Sequence, residues 1–137
     1  MTKLSKDQVT SKIREAGIVP LFTHDHADQT LKIVEAAYRG GMRVLEFTNR
    51  KSNALEVFTQ IIKNRNQFPD LTIGIGTVMD GTTTQKFIDA GADFIISPIL
   101  KTEMSDVCKK HNIHWIPGCG TLTEIATARE HGADIIK

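Results

Sequence analysis

Gly132-Ala133-Asp134-Ile135-Ile136-Lys137 is the third copy of a short pattern. The first is Gly41-Met42-Arg43-Val44-Leu45-Glu46 and the second is Gly91-Ala92-Asp93-Phe94-Ile95-Ile96. Each copy has a glycine at the end of a helical stretch and then an apolar pair that suits a buried strand.

Outward from these copies the chain alternates short β-branched runs with longer stretches of helical period. Ile18–Phe22, Arg43–Thr48, Thr72–Val78, Phe94–Pro98, His114–Gly118 and Asp134–Lys137 read as six strands in order. Helices are expected near residues 28–38, 52–64, 82–89, 102–111 and 121–130, with Asp28 placed to cap the first of them. Strand alternating with helix implies a parallel sheet covered by helices. The expected fold is an α/β (βα)8 TIM barrel, of which residues 1–137 supply strands one to six as a single incomplete domain.

Such barrels run to about 200 residues or more and close with eight strands, so the count expects a chain truncated at its C-terminus with unpaired edges. The alternative is an open doubly wound sheet. Its Gly-rich signature after strand one is missing, because that segment is Thr23-His24-Asp25-His26. Barrel interiors fill in layers drawn from alternate strands. The three copies are strands two, four and six, which makes Glu46, Ile96 and Lys137 layer mates.

The bulk numbers narrow the function. Seventeen Lys+Arg oppose sixteen Asp+Glu for a net charge of +1, with no long block of either sign. No nucleic-acid or anionic-membrane footprint follows. No apolar run reaches the roughly 18 residues that span a bilayer, and MTKLSKDQVTSKIREAG lacks the apolar centre of a signal peptide, so a cytoplasmic protein is expected. Cys108 and Cys119 are read as free thiols.

Candidate chemistry concentrates at strand ends. Glu46 lies in the middle of an apolar strand. Period two would allow it to face solvent, but a parallel sheet is covered on both faces and buried carboxylates need partners. Arg50 follows just past the carboxyl end, where barrel active sites lie, and its guanidinium suits a carboxylate; an ordinary surface arginine is the competing reading. Gly74 and Gly76 weaken a strand unless backbone approaches something closely or packing demands small residues. Thr77, Ser97-Pro98 and Pro117-Gly118-Cys119-Gly120-Thr121 end strands three, four and five.

His24, Asp25, His26 and Asp28 follow strand one, where His-x-His can begin a metal site. His111, His114 and His131 stand at the opposite ends of their strands, so no metal is expected, and a solvated loop with a helix cap is preferred. Cys119 has no base beside it and is read as packing. Lys137, in register with Glu46, has the arrangement that imine chemistry needs.

The stretches IVPLF, GGMRVLEFTNR, IGIGTV, AGADFIISPIL, WIPGCGT and GADIIK, in this order, resemble the 2-keto-3-deoxy-6-phosphogluconate / 4-hydroxy-2-oxoglutarate aldolases, class I pyruvate-forming enzymes. The resemblance covers nearly the whole chain. It implies a barrel that assembles as a homotrimer and needs no cofactor or metal. It places the Schiff-base lysine on Lys137, the general acid/base on Glu46 and the carboxylate anchor on Arg50. Thr77 and Pro98 become the residues bordering the bound keto acid. Phe47 and Asn49 depart from the commoner aliphatic residues. The Phe-Pro segment after the lysine and the phosphate-binding loops of strands seven and eight are not in this sequence. The implied partner is a small keto acid; the alternatives are another phosphate-binding barrel enzyme without an imine, or an inactive barrel serving as a binding module.

Overall fold

The computed structural model describes residues 4–137. Five parallel strands pair in chain order: β1 (Leu21–Phe22), β2 (Val44–Thr48), β3 (Thr72–Gly76), β4 (Phe94–Ser97) and β5 (His114–Pro117). Helices α2 (Ala27–Arg39), α3 (Ala54–Lys63), α4 (Gly81–Asp89) and α5 (Thr102–Lys110) connect them, and α6 (Leu122–Glu130) follows β5. This is the βα repetition of a barrel wall.

Alternation along each strand divides the core in two. Leu45, Phe47, Ile73, Ile75, Ile95 and Trp115 meet Val57, Phe58, Ile61, Phe87 and Met104 of the outer helices. Val44, Phe94, Ile96 and Ile116 form the second cluster, on the inner face. That cluster is closed by a helix the sequence pattern did not single out, α1 (Lys6–Ala16), through Val9 and Ile13. Ser5 and Gln8 form a reciprocal capping box at its start, and Gly17 closes it in the left-handed region.

The repeated pattern has a common backbone and a common electrostatic role. Its glycines, Gly41, Gly91 and Gly132, all have positive φ, of 98°, 105° and 83°. Two residues on, each copy carries a charge that is paired at the amino end of the sheet. Arg43 Nε lies 2.8 Å from Asp70, Asp134 lies 3.2 Å from Lys6, and Asp93 meets Arg65.

Three expectations change. Strand one shortens to two residues, because Pro20 has no N–H for a ladder; it still offers its carbonyl to the Glu46 N–H at 2.9 Å. Helix α2 begins at Ala27 with His26 as N-cap, and Asp28 lies in the first turn instead of capping. Residues 134–137 form no ladder. Lys137 alone bridges β5, donating its N–H to Pro117 O at 2.9 Å and accepting from the Cys119 N–H at 3.0 Å. One bridged residue continues the parallel order without making a sixth regular strand.

Candidate active site

The β2 register fixes Glu46. It pairs with Leu21 on one side and Gly74 on the other, and its side chain shares the inner face with Val44. Only 3% of it is exposed, and burial raises its carboxyl above the ordinary range, while Lys137 and Arg50 act in the opposite sense. The bridge to β5 brings Lys137 Nζ to 3.8 Å from Glu46 Oε2. That distance permits strong charge interaction but exceeds a good hydrogen bond, so neither group is saturated by the other. The lysine side chain is half exposed, so the pair joins a buried carboxylate to a nitrogen within reach of solvent.

The β2 end turns sharply. Arg50 N–H donates to Thr48 O at 2.9 Å, and Asn49 N–H crosses to Gly76 O at 2.8 Å. Arg50 is carried just past the strand into solvent. Thr77, immediately after β3, has φ of 60°. A β-branched residue in the left-handed region is strained, and such strain persists only where the surroundings impose it. Pro98 follows β4 with its ring exposed, while its carbonyl oxygen would lie 2.1 Å from a Cβ at Gly118.

Lys137 and Glu46 are therefore in direct contact, and Arg50 is close enough to act on the Glu46 carboxyl. Thr77 and Pro98 lie at the same carboxyl edge, from β3 and β4. The two glycines of β3 have separate uses. At Gly74 a Cβ would fall 2.2 Å from the Phe94 ring, which is tight packing. At Gly76 it would meet Glu46 itself.

The sequence pattern passed over Thr48. It lies two residues beyond Glu46, hence on the same face, is 1% exposed, and its hydroxyl has no hydrogen-bond partner among the described residues. The period-two rule that placed Glu46 would have found it.

Two groups take no part in this contact. The His26 N–H donates to His24 Nδ1 at 3.0 Å, with Asp25 3.6 and 3.8 Å from the two rings, in a loop beyond β1. Among the described residues no cluster of three or more His, Cys, Asp or Glu side chains is positioned to hold a metal. Cys108 and Cys119 are both free thiols; burial pushes Cys108 up to about 12 and raises Cys119 as well.

A family model described as KDPG and KHG aldolase matches residues 9–137. The chain belongs to the KDPG and KHG aldolase family. Among curated KDPG aldolases it is 31% identical over 130 residues to that of Haemophilus influenzae, covering 95% of this chain and 60% of the relative. With that of Pseudomonas aeruginosa it shares 32% over 130 residues, 92% of this chain and 58% of the relative. A solved KDPG aldolase from Legionella pneumophila, with pyruvate captured as a covalent carbinolamine, superposes with a TM-score of 0.81 at 29% identity. That match covers 90% of this chain and 59% of the solved one. The chain thus spans about 60% of the length of the KDPG aldolases it matches. Its five-stranded wall and the lysine bridge are that portion of a (βα)8 barrel.

Proposed function

We propose that this chain carries the imine-forming half-site of a class I aldolase that cleaves a 2-keto-4-hydroxy acid to pyruvate and an aldehyde. The observation that carries the reading is the 3.8 Å approach of Lys137 Nζ to the buried Glu46 carboxylate. The covalent pyruvate named for the Legionella pneumophila relative supports it.

The Lys137 amine adds to the C2 carbonyl to give a carbinolamine, which loses water to an iminium, with Glu46 relaying through water the proton from nitrogen to the departing hydroxyl. Glu46 takes the C4 hydroxyl proton; the C3–C4 bond breaks, the aldehyde departs, and the bonding pair moves into the iminium to leave an enamine. The protonated Glu46 returns a proton to C3, and water releases pyruvate and restores the amine. Burial raises the Glu46 carboxyl, and a more basic carboxylate is the better acceptor of the hydroxyl proton.

Arg50 supplies the cation for the substrate carboxylate, bidentate if both oxygens are engaged. Thr77, held in its strained conformation, and Pro98 border the same keto-acid group, so that C2 faces the amine. Glyceraldehyde 3-phosphate or glyoxylate is the aldehyde product, and assembly is as a homotrimer in the cytoplasm.

Incubation with pyruvate followed by borohydride tests the reading. The expected outcome is a reduced pyruvate adduct mapped by peptide mass spectrometry to Lys137 and lost in Lys137→Arg. An adduct confined to other lysines, or none at millimolar pyruvate, sinks it.

A further inference from the structure

A Cβ built on Gly76 would lie 1.7 Å from Glu46 Oε1, 2.6 Å from its Cδ and 3.1 Å from its Cγ. No van der Waals contact is that short. The Glu46 side chain therefore lies across the Cα of the neighbouring strand, in space that only glycine leaves open. Buried to 3% exposure, the carboxylate has little room to move aside. The rest of Gly76 is committed as well. Its carbonyl accepts the Asn49 N–H at 2.8 Å and so holds the turn that carries Arg50, while its own chain neighbour is Thr77 at φ 60°.

We infer that Gly76 is the positioning residue of the site: its missing side chain sets where the Glu46 carboxylate lies relative to Lys137, and its carbonyl holds the turn that carries Arg50. Gly76 touches no reacting atom. It acts through Glu46, and this is separate from Gly74, whose missing Cβ accommodates the Phe94 ring. The chemical part of the inference rests on the aldolase reading; the contact between Gly76 and Glu46 does not.

The test is Gly76→Ala, alone and with Glu46→Ala, in the full 137-residue chain. Displacing the carboxylate by about an ångström is expected to slow pyruvate trapping on Lys137 about a hundred-fold. The acidic limb of the trapping-rate profile should move toward the ordinary carboxylate range, because the displaced carboxylate leaves its buried position. A glycine that merely shaped the strand would leave that limb in place.

Stability supplies the second readout. Gly76→Ala should lower the thermal midpoint by about 5 °C or more in the parent chain and by less than about 1 °C in the Glu46→Ala chain, where the clashing side chain is gone. Should Gly76→Ala alone fail to fold, folding of the double variant supports the inference and its failure overturns it. Equal penalties in both backgrounds, or wild-type trapping with an unmoved limb, also overturn it. If the parent chain forms no pyruvate adduct, the aldolase reading falls, and the stability comparison still decides the placement.

Discussion

Lys137 and Glu46 are separated by 91 positions in sequence (137 − 46) and by 3.8 Å between Nζ and Oε2. The carboxylate of this pair is almost fully buried, and the loss of its solvation is the dominant cost. Burial is the largest influence on Glu46, raising its carboxyl against the pull of Lys137 and Arg50. A carboxyl raised in the folded state contributes stability that is complete below its unfolded value of about 4.3 and lost as pH rises through the folded value. At neutral pH the ionised form therefore costs stability. Glu46→Gln should raise the thermal midpoint near pH 7.5, with the gain vanishing near pH 4, and should slow pyruvate trapping by about 10²–10⁴-fold. A lower midpoint at neutral pH would mean that attraction to the two cations outweighs burial.

Thr77 predicts the same trade, stability gained as function is lost, at a neighbouring strand end. Its φ of 60° is uncomfortable for a β-branched side chain and easy for glycine. Relief of that strain, partly offset by the greater freedom of glycine in the unfolded chain, should make Thr77→Gly more stable by about 1 kcal/mol in urea denaturation. Loss of the hydroxyl should weaken pyruvate saturation of the trapping reaction. A destabilised variant would show that packing of the Thr77 methyl matters more than its backbone.

Most of this architecture is legible because period two and period 3.6 differ so plainly here. Strands β2 to β5 appear within one or two residues of where β-branched runs place them, and the copies ending at Glu46 and Lys137 put two charges on one inner face. The N-terminal helix α1 is harder to find. Its apolar stripe is short, with Val9 its sole fully buried residue, and its start is marked only by Ser5 and Gln8. What no sequence period reveals is cross-strand intimacy. The contacts of Gly74 with Phe94 and of Gly76 with Glu46 depend on the offset between strands, which turns and twist determine.

Asp93 tests the electrostatic role of the repeat. It is 5% exposed, accepts the Ile73 N–H at 2.8 Å and meets Arg65 through Nη2, while Arg65 Nε is buried without a hydrogen-bond partner among the described residues. Removal of one member of a buried pair leaves the other charge uncompensated, so Asp93→Ala should cost about 3–5 kcal/mol in urea denaturation. Asp93→Asn keeps an acceptor for Ile73 and should cost less. The exposed equivalent Arg43–Asp70 pair should contribute below about 1 kcal/mol to a double-mutant cycle.

His114 sets the acid limit of the fold. It opens β5 with 1% exposure, and its Nε2 lies 2.8 Å from Lys6 O and 2.7 Å from Thr10 Oγ1, which docks α1 onto the sheet. Its Nδ1 is buried without a hydrogen bond, 3.8 Å from Asp134. Burial, the largest influence, lowers its pKa against the pull of the Lys6 carbonyl and Asp134, with the Lys6 charge acting in the same sense as burial. The unfolded chain therefore binds the proton more readily than the folded one. The stability associated with neutral His114 is present above its unfolded value of about 6.5 and is lost as pH falls through the lowered folded value. Helix α1 should be the first element to loosen, seen as faster amide exchange at Val9 and Ile13 near pH 5 than in the parent at pH 7.5, after correction for intrinsic rates. His114→Gln keeps a donor for the Lys6 carbonyl and cannot take up the proton, so its stability should be nearly flat over that range. Equal acid sensitivity in parent and variant would transfer the effect to the carboxylates.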